Sequence, residues 1–164
     1  MGGPMEERTL WGAGSGAGPR EETRPGVSGP NQEGDGLHGS ETVLVAEDNP
    51  AVRELVRDVL TMYGYTVLGA ADGHEGLRVA QEHPGAIDLL LTDVEMPGMD
   101  GPEVAHRLAA LRPGMKVLYL SGRSLRDLGE RGLADLQAHF LPKPFGLENL
   151  ARKVREVLDA SRHD

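Results

Sequence analysis

Residues 41–60 read ETVLVAEDNPAVRELVRDVL, and two periods meet within them. Thr42-Val43-Leu44-Val45-Ala46 is a short, almost wholly apolar run, as expected of a strand buried on both faces. Val52, Leu55, Val56, Val59, Leu60 and Tyr63 then recur at helical spacing and form one apolar stripe. Between strand and helix stand Glu47, Asp48 and Asn49-Pro50. Asn49 suits the helix cap and Pro50 the first helical position, while Gly64 marks the end.

The same unit repeats downstream. Thr66 to Ala70 predicts a second strand and residues 74–83 a short helix ended by Pro84. Ile87 to Thr92 predicts the third strand, and Pro102 to Leu111 the third helix, closed by Arg112-Pro113-Gly114. Lys116 to Leu120 is the fourth strand, and residues 124–133 a weak helix interrupted by Gly129 and Gly132. Ala138 to Leu141 is the fifth strand, before a final stripe of Leu147, Leu150, Ala151, Val154, Val157 and Leu158. Five strands alternating with five helices imply right-handed crossovers and a single doubly wound α/β domain with a parallel sheet. Such sheets bind ligands beyond the carboxyl ends of their strands, at the switch point of strand order.

Upstream of Glu41 the composition is different. Residues 1–40 hold 11 of the 23 glycines and 4 of the 11 prolines, with too little apolar surface to offset the entropy of ordering. We expect a disordered tail over 1–40, a folded domain over 41–160 and a short C-terminal tail over 161–164. Gly34-Asp35-Gly36-Leu37-His38-Gly39 matches a dinucleotide-binding fingerprint. That motif must follow a strand and open a helix, and here it precedes the first strand, so it is incidental. Leu10-Trp11 is read as an isolated exposed pair.

Several function classes drop out early. With 17 Lys+Arg against 26 Asp+Glu, the formal charge of −9 opposes a grip on nucleic acid phosphates. Zero cysteine removes disulfides, thiolate zinc sites and cysteine nucleophiles. No apolar run approaches the ~20 residues of a membrane span, and Met1 to Arg8 show no secretory signal. The expectation is a cytoplasmic protein with neither nucleic acid nor membrane as a direct partner. His38, His74, His83, His106, His139 and His163 lack metal-ligand spacing and are read as incidental.

Function should therefore lie at the strand ends. Glu47 and Asp48 follow the first strand and Asp93 the third. Ser121-Gly122 ends the fourth, and Lys143-Pro144 follows the fifth. Any one of these suits a solvated loop, but together they place three carboxylates, a hydroxyl and an ammonium on one sheet edge. Three such carboxylates repel, and without a cation at least one would be pushed toward its protonated form. A hard divalent ion relieves this, and few carboxylates with room for water and a phosphate oxygen suit Mg²⁺. A carboxylate in that setting can attack phosphorus and give an aspartyl phosphate. Positioning and cations around the equatorial oxygens then supply most of the catalysis.

With these residues the chain resembles the receiver domain of two-component response regulators. The matching pieces are Glu47-Asp48, Asp93-Val94-Glu95-Met96-Pro97-Gly98-Met99-Asp100-Gly101, Ser121-Gly122 and Phe140-Leu141-Pro142-Lys143-Pro144-Phe145, in family order over residues 41–160. In wording the chain looks most like receivers fused to hybrid histidine kinases. The resemblance implies a flavodoxin-like sheet in the order 2-1-3-4-5. It also implies that Asp93 accepts a phosphoryl group from a histidine kinase or a histidine phosphotransfer protein. Asp48, Asp93 and the Glu95 backbone carbonyl would bind Mg²⁺, with Glu47 acting through water. Lys143 would pair with Asp93 and then with the phosphate, and Lys143-Pro144 would be a cis peptide. Ser121 and Phe140 would form the switch pair, although ordinary core packing explains Phe140 equally well.

Glu95 and Arg123 set opposite charges at the site mouth and are expected to tune phosphoryl lifetime. Pro142 removes a donor from the fifth strand and suggests an edge position. Output would run through protein contacts on the fourth helix, fifth strand and fifth helix, since no output domain is visible. The downstream partner is not legible. Such a module is no enzyme beyond promoting its own phosphorylation and dephosphorylation. Two alternatives stand beside it. One is a haloacid-dehalogenase-like phosphatase using Asp93, Glu95, Ser121 and Lys143, whose nucleophile would normally follow the first strand. The other is a phosphate-independent interaction module on the same scaffold.

Overall fold

The computed structural model describes residues 36–130 and 139–160. The chain divides into two compact units, Met1–Leu37 and His38–Asp164. Of the first, only Gly36 and Leu37 are described, both helical. Residues 1–35 of the tail expected over 1–40, and the whole of 161–164, lie outside the described residues, while the Gly39 amide donates to Tyr63 O at 3.0 Å.

The second unit alternates strand and helix throughout. Its strands are β1 (Thr42–Ala46), β2 (Thr66–Ala70), β3 (Leu89–Asp93), β4 (Lys116–Ser121) and β5 (Phe140–Pro142). Its helices are α1 (Pro50–Met62), α2 (Gly73–Glu82), α3 (Gly101–Leu111), α4 (Leu125–Glu130) and α5 (Leu147–Ala160). All strand pairs are parallel, in the order β2-β1-β3-β4-β5. β5 is the last strand of the described sheet and ends on Pro142, which offers no amide donor.

Strand alternation sorts the core into two layers. Val43, Val45, Leu89, Leu91, Leu118, Leu120 and Leu141 pack on one face against Val56, Val59 and Leu60 of α1 and Leu150, Val154, Val157 and Leu158 of α5. Leu44, Ala46, Ala70 and Leu90 face the other way, against Ala80 of α2, Val104, Ala105 and Leu108 of α3, and Met96 and Met99. Each fully buried leucine contributes roughly 1.5–3 kcal/mol, so this double burial sets the strand register.

Local signals fix the helix ends. Asn49 Oδ1 accepts from the Ala51 and Val52 amides at 2.9 and 3.3 Å. At the far end Gly64 adopts φ +101°, a left-handed conformation that glycine takes at least cost. The Gly64 amide donates to Thr61 O and the Tyr65 amide to Leu60 O.

Three strands differ from expectation at their bounds, β4 only by running one residue past Leu120 to Ser121. β3 begins at Leu89 rather than Ile87 and runs on to Asp93. The cause is Asp88, whose side chain accepts from the Thr42 amide at 2.9 Å and whose own amide donates to Thr42 O; Ile87 is still buried. β5 runs from Phe140 to Pro142 because the Lys143 amide donates to Ser121 O at 2.7 Å. The expected start at Ala138 and the expected helix beyond Glu130 lie outside the described residues.

Candidate functional site

β1 pairs with β2 on one side and β3 on the other, so the winding direction reverses between β1 and β3. The crevice outside their carboxyl ends is where such a sheet binds ligands. Glu47 and Asp48 follow β1 there, and Asp93 closes β3. Glu47, Asp48 and Asp93 each offer a carboxylate oxygen within 4.8 Å of the others. Asp48 is exposed, Asp93 is 8% exposed and Glu47 is fully buried.

Lys143 reaches this group from the loop after β5. Its Nζ lies 3.0 Å from Asp93 Oδ2 and 3.0 Å from Glu47 Oε1. Burial pulls the ammonium down, but hydrogen bonding and charge from Glu47 and Asp93 outweigh it, and Lys143 sits above the ordinary lysine range. Burial likewise pushes the Glu47 carboxyl up; the Asn49 amide and Lys143 oppose this, and the Asp93 charge adds to it.

The remaining contacts orient the acids. Asp93 Oδ1 accepts from the Glu95 amide at 3.3 Å, and Glu47 Oε2 accepts from the Asn49 amide at 3.0 Å. Glu47 Oε1 is buried and faces the Lys143 ammonium at 3.0 Å. One ammonium thus pairs with two of the three clustered carboxylates, which leaves an excess of negative charge in the group. That oxygen-only donor set suits a hard divalent cation that keeps part of its water, and so fits Mg²⁺.

Ser121 is buried at the end of β4, where its Oγ accepts from the Arg123 amide at 2.9 Å. Arg123 Nε donates to Glu95 Oε2 at 2.7 Å, so these two half-exposed side chains join the loops after β3 and β4 across the mouth. Phe140 is 8% exposed, packed with Val94 and against Tyr119. The Lys143–Pro144 peptide is cis. Pro144 and Phe145 line, with Val52, Leu55, Gly122 and Lys143, an apolar groove of about 450 Å³.

Two parts of this arrangement were not read from the sequence. The buried pairing of Glu47 with Lys143 gives no signal in either local motif, because the residues are 96 positions apart. The groove joins one exposed position of the α1 stripe, Leu55, to the loop after β5. A leucine on the stripe that the core leaves at 40% exposure was its only trace.

An acid cluster after β1 and β3, with a lysine after β5, thus sits at the switch point of a doubly wound sheet. The response regulator receiver domain profile matches residues 43–155, and the chain belongs to that family. It is 44% identical over 124 residues to the sensor kinase CckA of Brucella abortus, covering 75% of this chain and 13% of the kinase. It is 37% identical over 123 residues to the response regulator MprA of Mycobacterium leprae, covering 74% of this chain and 53% of the regulator. The chain thus spans no more than about half of these curated relatives. The crystal structure of the receiver domain from the hybrid histidine kinase CckA aligns with a TM-score of 0.59 and 39% identity, over 71% of this chain and 98% of that one.

Receiver domains of two-component systems are phosphorylated on an aspartate and bind Mg²⁺, and they interact with histidine kinases or phosphotransfer proteins; they are in general non-catalytic signalling domains. Among the described residues, no helix is long and apolar enough to cross a membrane.

Proposed function

We propose that Asp93 is the phosphoacceptor of this chain and that a phosphohistidine on a histidine kinase or histidine phosphotransfer protein is its donor. The observation that carries this is the Lys143 ammonium held between Asp93 and Glu47 within the three-acid pocket. A carboxylate oxygen of Asp93 forms the new O–P bond as the N–P bond of the donor breaks, and the released imidazole takes up a proton. Hydrolysis of the acyl phosphate by water later returns Asp93 and inorganic phosphate. Asp48, Asp93 and the Glu95 carbonyl would hold Mg²⁺, with Glu47 contributing through water, and the ion would neutralise charge on the phosphoryl oxygens. Lys143 neutralises Asp93 beforehand and is placed to follow the transferred group. Ser121 offers a hydroxyl that can leave the Arg123 amide for a phosphoryl oxygen, and Phe140 would respond through the space beside it.

The apolar groove flanking Lys143 suits a helix that presents the donor histidine, while output to a downstream protein would use the α4–β5–α5 face. On this reading residues 41–160 form a cytoplasmic signalling module. The chain promotes only its own phosphorylation and dephosphorylation.

The test is labelling with acetyl phosphate. One equivalent is expected in wild type with Mg²⁺ and none in Asp93→Asn. Labelling that persists in Asp93→Asn would overturn the assignment. Leu55→Glu is expected to leave acetyl phosphate labelling intact and to slow transfer from a phosphohistidine donor about ten-fold; unchanged transfer would remove the groove from the partner surface.

A further inference from the structure

Arg53 belongs to none of the motifs at the strand ends. It lies one turn into α1, where its amide donates the first intrahelical bond to Asn49 O at 2.9 Å. From that anchored position Nη1 reaches back six residues and donates to the Glu47 carbonyl oxygen at 2.6 Å. This is a short, charge-assisted hydrogen bond.

Its acceptor is unusual. The Glu47 amide continues the sheet ladder by donating to Ala70 O at 3.1 Å, and the Glu47 side chain accepts from the Asn49 amide. The carbonyl, however, belongs to the peptide joining Glu47 to Asp48, after the last residue of β1. Fixing that peptide plane fixes two things together: the base from which the Glu47 side chain enters the pocket, and the direction in which the exposed Asp48 side chain departs.

The stem of Arg53 is also accommodated. Gly69 of β2 carries no side chain, and a Cβ there would stand 3.9 Å from Arg53 Cδ and 2.8 Å from Arg57 Nη2. Arg57 shares this surface but does not contact the acid pair, which makes it a matched control.

We propose that Arg53 is a positioning residue for the metal-binding acids, holding the Glu47–Asp48 peptide so that both carboxylates converge on one divalent cation. This rests on the acid pocket being the Mg²⁺ site proposed above. Groups that orient metal ligands from outside the coordination sphere commonly change affinity about 10–100-fold when removed. The lower end applies here, because Arg53 acts through backbone rather than directly on a carboxylate.

The experiment is calorimetric titration of the full chain with Mg²⁺ alone, accompanied by thermal unfolding in chelator and in Mg²⁺. Arg53→Met keeps the stem and removes the donors, and it is expected to bind Mg²⁺ about ten-fold more weakly. Arg53→Lys, which still offers a donor to the carbonyl, is expected to recover most of the loss, and Arg57→Met to bind as wild type. The rise in Tm on adding Mg²⁺ reports the same ranking for a variant that is itself destabilised. A merely structural arginine would lower the Tm in chelator while leaving the Mg²⁺ affinity and the Mg²⁺-dependent rise unchanged, and that result would overturn the proposal. An equal loss in Arg57→Met would do the same. Failure of the wild type to bind Mg²⁺ would instead remove the underlying site and this role with it.

Discussion

Replacing Lys143 by methionine removes the ammonium that faces Asp93 and Glu47 at 3.0 Å each. At the effective dielectric of ~20 that describes such sites, one contact of this length is worth about 5 kcal/mol before desolvation is counted. Much of that sum offsets the cost of burying the lysine itself, and breaking a buried pair typically costs about 3–5 kcal/mol net. Glu47 can avoid part of this by taking a proton, so its share is capped by the distance between assay pH and its ordinary value. Each unit of pH is worth about 1.4 kcal/mol. At pH 8 that cap exceeds the pair cost, and about 3 kcal/mol should be lost. At pH 5 the cap is below about 1 kcal/mol. With roughly 3 °C per kcal/mol for a domain of this size, circular-dichroism melts in chelator should show the part of the Tm loss that Glu47 carries shrinking from about 10 °C at pH 8 to about 3 °C at pH 5. Adding Mg²⁺ at pH 8 should recover part of the larger loss, because a divalent cation replaces the missing charge. An equal fall at both pH values would refute the Glu47 contribution and leave the Asp93 contact or lost packing as the cause.

Other expectations follow from single contacts. Arg155 donates to both Glu41 carboxylate oxygens, to Tyr65 Oη and to His38 O, and this hydrogen bonding holds Glu41 below the ordinary carboxylate range despite partial burial. Its stabilisation is therefore fully present above about pH 4.5 and lost as pH falls through the lowered value. Arg155→Met should cost about 1–2 kcal/mol at neutral pH and flatten the acid limb of a pH–Tm curve; an unchanged limb would exclude the pair. Gly101→Ala places a methyl group against the Asp93 carbonyl oxygen, a backbone atom that cannot step aside. Chemical denaturation should show a loss of about 2–3 kcal/mol, and a neutral effect would mean that the loop after β3 yields. Glu95→Asn and Arg123→Ala each open the charge pair across the mouth and should change the decay rate of phosphorylated protein several-fold. Rates equal to wild type in both variants would end that role.

Much of the fold was legible because parallel sheets demand apolar strands, and these separate cleanly from helical stripes. β1 and β2 fall where the apolar runs fall. The exceptions are places where a side chain replaced a ladder contact: Asp88 binds the Thr42 amide and delays β3. The residues that meet in the candidate pocket could be picked out as a group because Glu47, Asp93, Ser121 and Lys143 directly follow or end a strand. Their pairing could not, since the approach of Lys143 to Glu47 depends on the sheet order. Arg53 was hidden for another reason. Its partner is a backbone carbonyl, which leaves no mark in composition or spacing, and arginines on an exposed helix are ordinary.

The two-layer sorting of the sheet has a genetic corollary. Val43 and Val45 face one layer, Leu44 and Ala46 the other, and the acids follow without a break. Losing or gaining one codon within β1 would turn every following strand residue onto the opposite side and swing the Glu47 carboxyl away from its lysine. Frame-preserving length changes in this short run should be as damaging as losing the acids themselves, whereas exposed Ala86, ahead of the amino end of β3, should tolerate them better.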